Sequence, residues 1–197
     1  MTPHKRTSWC TAPLLRAALT AALATGALTG CQTLADAASA SGCEGTESRV
    51  DELKSYGVLD SLPQGAVVPQ GFEDLESGCW EDSGEAWLYA ERTYVLPTDG
   101  DGEGDKTDVT RHYRAAAERE GWKPSQSTRQ SSKDARPASL CFTRGEADDA
   151  KMLDVYFLTE EILEAEESEP GPEFDSGAGY RVAVTATADG SATSCSA

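Results

Sequence analysis

Four cysteines of this 197-residue sequence, Cys43, Cys79, Cys141 and Cys195, carry the chemistry that is easiest to sort by spacing. A thiol can ligate a metal, attack an electrophile or form half of a disulfide. These four lie 36, 62 and 54 residues apart, without any Cys-x-x-Cys, and His112 is the one histidine beyond residue 30. Zinc sites are built from closely spaced Cys and His pairs, so the metal role fails on spacing. An even number of cysteines in an exported chain points to two disulfides, and three connectivities are then open. Spacing decides none of them. The preferred pairing joins Cys43 to Cys195, tying the ends, and Cys79 to Cys141 inside the domain. The other two cysteines, Cys10 and Cys31, belong to an N-terminal segment with its own chemistry.

A second cluster is Asp99-Gly-Asp101-Gly-Glu103-Gly104-Asp105, with oxygen ligands at alternate positions. Hard cations such as Ca²⁺ take six to eight oxygens, and glycines let a chain curl around the ion. Laid on the EF-hand loop, Asp99, Asp101 and Glu103 take the first, third and fifth places, Gly104 the sixth and Asp105 the seventh. The twelfth place holds Thr110 where the pattern wants a bidentate glutamate, and the eighth holds Lys106 where it wants an apolar residue. A strand rather than a helix is expected before the loop. The alternative is a plain acidic turn.

His112 stands beside Tyr113 on a predicted helix, at the border of its apolar stripe. To act as a general base it would need a hydroxyl or carboxylate neighbour in a cleft. No Gly-x-Ser-x-Gly, Ser-x-x-Lys or His-Glu-x-x-His accompanies it, and no Gly-x-Gly-x-x-Gly or P-loop for nucleotides is present. Among 34 acidic residues any chosen carboxylate pair is uninformative. Trp80, Trp87, Trp122, Tyr89, Tyr94 and Tyr156 would line a ligand groove if exposed and would fill a core otherwise.

The first 30 residues form a leader. Residues 1–16 contain Lys5, Arg6 and Arg16, and residues 17–30 are uncharged and largely apolar. Fourteen such residues suit a signal-peptide core, whereas a bilayer span takes about 20. No Arg-Arg pair supports the twin-arginine route. The segment ends in Leu28-Thr29-Gly30-Cys31, which resembles the lipobox of bacterial lipoproteins. The resemblance implies cleavage after Gly30, a diacylglycerol thioether on the Cys31 sulfur and acylation of the new amine. Two or three acyl chains hold a protein at a membrane where one chain binds only marginally. Residues 31–47, rich in Ala, Ser, Gly and Thr, read as a flexible tether, with residues 48–197 forming a single extracytoplasmic domain. From Cys31 to Cys43 such a tether spans about 40 Å at full extension.

Without the leader the chain carries 14 bases against 34 acids, a charge of −20. That surface repels phosphate backbones and anionic headgroups, so nucleic acid is excluded as a partner. Hydrophobic residues make up 39% of the sequence, enough to build one core.

Several elements must position these groups. Val50–Val58 is a short helix in which Ser48 and Asp51 form an acidic capping box. Pro63, Gly65 and Pro69 open a loop leading to Cys79 and Trp80. Residues 86–96 are the strongest strand. Thr107–Glu120 is the best helix, with Gly121 suited to a left-handed terminus and Trp122 to the apolar contact behind it. Further strands are expected at Leu140–Arg144, Met152–Leu158 and Tyr180–Ala188, and a weaker one at Trp122–Thr128. Lys123–Ala138 and Thr159–Asp175 read as solvated loops, one basic and one acidic. The order predicts an α+β domain: a mainly antiparallel sheet of four to five strands, one helix packed on a face, and the short N-terminal helix.

Residues 75–195 also resemble the small uncharacterised lipoproteins of high-GC bacteria, in which a Tyr-rich strand, a helix ending in Gly-Trp and a Leu-Cys-Phe strand recur. Here these are Tyr89/Tyr94, Gly121-Trp122 and Leu140-Cys141-Phe142. That resemblance implies architecture and no activity. The resulting expectation is a lipid-anchored, non-catalytic surface protein facing the extracytoplasmic side. Its partner is a protein, a cell-wall component or a small molecule, and no cofactor is required. The alternatives are a Ca²⁺-stabilised binding module and an extracytoplasmic hydrolase using His112.

Overall fold

Ser83 and Gly84 reverse the chain with φ of 52° and 89°. Two consecutive positive φ values make the tight turn whose twist matches a pair of antiparallel strands, and glycine takes such a value at no steric cost. The strands so joined are β1 (Glu76–Asp82) and β2 (Glu85–Pro97), in register from Asp82 opposite Glu85 to Glu76 opposite Glu91. The sequence predicts a loop where β1 lies. It is an edge strand of mostly polar, half-exposed residues, so no apolar alternation marks it. The computed structural model describes residues 42–97, 103–130, 139–146, 149–168 and 170–195. The expected leader, Cys31 and the tether as far as residue 41 lie outside them.

Four more strands complete the sheet: β3 (Lys123–Pro124), β4 (Ser139–Arg144), β5 (Lys151–Phe157) and β6 (Gly177–Thr187). Every neighbouring pair is antiparallel, in the order β1-β2-β6-β5-β4-β3. The α+β expectation holds, with six strands rather than four or five. The weak strand expected at 122–128 shrinks to two residues, followed by a short helix.

Strand periodicity assigns one face to the core. Leu88, Ala90, Tyr94 and Leu96 of β2, Tyr180, Val182, Val184 and Ala186 of β6, and Leu153, Val155 and Phe157 of β5 are all buried in one cluster. Helix α2 (Glu103–Arg119) lays Val109, Tyr113, Ala116 and Ala117 on it at helical spacing. It begins at Glu103 rather than Thr107, so the acidic stretch is helical from Glu103 onward. Its end is as expected: Gly121 has φ of 79°, its N–H reaches the Glu118 carbonyl, and the Trp122 N–H reaches Ala117. Trp122 is then buried.

Helix α1 (Glu47–Lys54) starts before the expected Ser48 cap, which lies inside it. The preceding Thr46 hydroxyl donates to the Cys43 carbonyl at 2.7 Å instead of capping the helix. A 3₁₀ turn, Gly57–Asp60, inserts Val58 and Leu59 into the core. Helix α3 (Gln126–Gln130) packs beside β4, and α4 (Glu160–Ala165) follows β5, where the Thr159 hydroxyl accepts the Ile162 N–H at 3.3 Å to cap it.

Both expected disulfides form, with a different pairing: Cys43–Cys79 and Cys141–Cys195. The reason is topological. Strands β1 and β4 are separated by β2, β6 and β5, which puts Cys79 and Cys141 about 19 Å apart at the usual strand spacing, far beyond disulfide reach. Cys79 also packs toward the core, whereas Cys141 lies on the opposite face of the sheet.

Candidate functional site

The face opposite the core is built from the alternate residues of the same strands. Strand pairing sets them in rows. One row runs Glu76–Glu91–Ala183–Asp154–Cys141, from β1 across to β4. The next runs Thr93–Arg181–Tyr156–Ser139, and a third runs Gly78–Tyr89–Thr185–Met152. One end of this face is closed. There a 3₁₀ segment, Pro172–Ser176, sets Phe174 against Gly179, where a Cβ would come within 2.5 Å of the ring. Phe72 packs on Phe174 with ring centroids 5.7 Å apart.

The rest of the face is a cleft of about 680 Å³. Its walls include Trp80, Tyr89 and Tyr156, and its floor includes Ala183 and Thr185. Trp80 is 46% exposed and stacks on Trp87, its cross-strand partner, with centroids 6.3 Å apart and ring planes 18° from parallel. Tyr89 leans over Gly78, where a Cβ would stand 3.2 Å from its hydroxyl oxygen.

Arg181 is the ionic centre. It is buried, and Nη1 and Nη2 donate to the two carboxylate oxygens of Glu166 at 2.8 and 2.7 Å. Nη1 also donates to the Tyr156 hydroxyl at 3.2 Å, Nε donates to Thr93 Oγ1 at 3.2 Å, and Glu91 Oε1 lies 3.4 Å from Nη1. Burial opposes the guanidinium charge, but Glu166, Tyr156 and Glu91 outweigh it and hold the proton more firmly than usual. Burial pushes the Glu91 carboxyl up even though Arg181 pulls it down. The Tyr156 phenol is raised to about 12, chiefly by burial.

Asp154 differs from these groups. Burial alone raises its carboxyl from the ordinary 3.8 to about 6, and it has no hydrogen-bond or ion-pair partner among the described residues. Among the described residues four carboxylates (Glu76, Glu91, Asp154, Glu166) therefore line the cleft against one guanidinium that is already engaged. Such a surface can stack on a flat or apolar body, accept hydrogen bonds and attract positive charge.

The residues singled out by sequence are distributed elsewhere. Asp99 and Asp101 lie outside the described residues, and Glu103 and Asp105 fall in the first turn of α2. Among the described residues no group of three or more His, Cys, Asp or Glu side chains is placed to hold a metal ion. Cys31 is outside the described residues, while Cys43, Cys79, Cys141 and Cys195 are all bonded. No described helix is long and apolar enough to cross a membrane.

His112 does have a hydroxyl neighbour that the sequence reading missed. Its Nε2 is 2.9 Å from Ser61 Oγ, and the Tyr113 hydroxyl donates to the Ser61 carbonyl at 2.6 Å. Burial, with the Arg119 charge, lowers the His112 pKa and favours the neutral ring. A hydrolytic Ser–His pair also needs an acid that orients the imidazole. No carboxylate bonds to His112 among the described residues, and the contact fastens α2 to the chain after the 3₁₀ turn.

The aromatic residues divide between the two faces. Tyr94 and Trp122 are core, whereas Trp80, Tyr89 and Tyr156 line the cleft. No family model matches this chain, and neither a curated protein nor a solved structure matches it.

Proposed function

We propose that this chain is an extracytoplasmic binding module, held at a membrane by lipid on Cys31, whose open sheet face takes up a ligand without transforming it. The observation that carries the reading is the contrast between the two sides of the sheet. One side is sealed by α2 and the 3₁₀ turn, while the other keeps an aromatic and ionic cleft of about 680 Å³, the size of many small-molecule sites. The Ca²⁺-stabilised module and the His112 hydrolase have less support. Glu103 and Asp105 are helical, and the His112 ring has no acid partner among the described residues.

Two measurements test it. Intact mass of the membrane-extracted protein should show a diacylglyceryl addition that Cys31→Ala removes together with membrane association. Equilibrium dialysis of full-length protein against envelope extracts, followed by mass spectrometry, should retain a small molecule that Trp80→Ala does not. Loss of the retained molecule with release of a product would replace binding by catalysis. Equal retention by wild type and variant would remove the cleft as the site.

A further inference from the structure

The row Glu91–Ala183–Asp154 places two carboxylates on either side of the smallest side chain on the floor of the cleft. Strands β2 and β5 flank β6, so their backbones stand about 10 Å apart at the usual strand spacing. The Glu91 and Asp154 side chains rise from those two strands on the same face of the sheet, with only Ala183 between them in the row. Tyr89 and Thr185 border the gap on one side, Arg181 and Tyr156 on the other.

We propose that this notch is the specificity site of the module, and that its ligand is a small organic cation. The ammonium group sits over Ala183 between Glu91 and Asp154, and the apolar body lies against Tyr89, Tyr156 and Trp80. The inference rests on the reading of the open face as a binding surface and narrows it to one chemical class.

Three observations carry it. The first is charge complementarity. Among the described residues the one cationic side chain lining the cleft is Arg181, and it is engaged by Glu166, Glu91, Thr93 and Tyr156, so it offers an anion little. Asp154, by contrast, is a half-buried carboxylate with no ion-pair partner among the described residues. A half-buried charge without a counter-ion is less well solvated than one in water, and an ammonium group is the compensation that fits.

The second observation is the walls. Aromatic faces attract cations through their quadrupole, and three aromatic side chains line this cleft. A neutral sugar would also stack on Trp80 and could donate a hydroxyl to Asp154, but it would leave the excess negative charge of the cleft uncompensated. The third is size, since about 680 Å³ suits a small molecule rather than the extended footprint of a protein partner.

The test is calorimetric titration of full-length protein with choline, putrescine and benzylamine, beside tri-N-acetylglucosamine as a neutral probe, citrate as an anion and a short oligolysine peptide. At least one of the three ammonium compounds should bind saturably, weaken with added salt, and weaken by about tenfold or more in Asp154→Asn. That variant is isosteric, and its unchanged or raised melting temperature shows that the fold persists. No saturable heat from any of the three up to about 10 mM overturns the inference, as does an affinity untouched by Asp154→Asn. Binding of the neutral saccharide or of citrate alone, lost in Trp80→Ala, overturns the cation and leaves the binding face standing. Binding of oligolysine alone overturns the small-molecule ligand in favour of a basic polypeptide. Silence from every probe, together with an empty dialysis experiment, overturns both.

Discussion

Arg181 and Glu166 form a two-pronged ion pair, 2.8 and 2.7 Å long, that ties the chain just after α4 to the centre of the sheet. Parallel bonds of this kind fix direction as well as distance. Arg181 also faces Glu91, so its removal leaves a buried carboxylate uncompensated. Arg181→Met should cost roughly 3 kcal/mol at neutral pH. The Glu91 carboxyl, already raised by burial, then rises further. For an acid whose folded pKa is raised, destabilisation is present above that pKa and fades as the group takes up its proton. Denaturation midpoints should therefore show the loss shrinking from pH 7 toward pH 4. Glu166→Gln, at a side chain 35% exposed, should cost only about 1 kcal/mol.

Asp154 should behave as an acid that the fold tolerates rather than wants. Its folded pKa of about 6 exceeds the ordinary 3.8. Its charge therefore opposes folding above pH 6, and that penalty vanishes below the unfolded value. Asp154→Asn should raise stability by roughly 1–3 kcal/mol at pH 8 and leave it nearly unchanged below about pH 4. Urea denaturation at the two pH values measures this. A lower midpoint for the variant at pH 8 would contradict the burial argument.

Tyr94 holds the 3₁₀ turn from inside the core. Its hydroxyl donates to the Leu59 carbonyl at 2.7 Å, while its ring meets Tyr180 at 5.7 Å. Tyr94→Phe keeps the ring and strands a buried carbonyl, so thermal denaturation should show a loss of about 1–2 kcal/mol. Because burial raises the phenol to about 12, no stability change tied to Tyr94 should appear below pH 9.

The disulfide pairing is checked by non-reducing peptide mapping, which should find Cys43 with Cys79 and Cys141 with Cys195. The bridges close segments with separations of 36 and 54 residues. By loop-closure entropy, replacing either pair with alanine should cost about 4 kcal/mol. A fragment joining Cys79 to Cys141 would refute the strand order.

Much of the framework was legible because it is local. The end of α2 is fixed by Gly121 and Trp122 within two residues, and β6 announces itself by alternation from Tyr180 to Ala186. Strand β1 was not legible from hydropathy, since Glu-Ser-Gly-Cys-Trp-Glu-Asp has little to bury. The signal that would have found it is Ser83-Gly84, a two-residue hairpin pair directly before the strongest strand. The cleft was legible only in fragments. Arg181 and Thr185 stand out on the polar side of β6, but Glu166 sat in an acidic run that reads as solvated. Its pairing with Arg181, 15 residues away, depends on how the chain returns from α4 to β6. Disulfide connectivity was illegible for the same reason, because strand order decides it and strand order is non-local.

The Cys43–Cys79 bridge also sets the path of mechanical load. A pull on the chain upstream of Cys43 passes through the two sulfur atoms straight into β1, so residues 44–78 carry no tension. That slack loop contains α1, the 3₁₀ turn and the carbonyl bonded by Tyr94. A pull downstream of Cys195 likewise enters at Cys141 on β4. Tension between the two ends must then cross the ladders from β1 through β2, β6 and β5 to β4, beneath the cleft rather than around it. Helix α1 and the 3₁₀ turn stay unloaded, and the sheet that bears the cleft is the part that feels force.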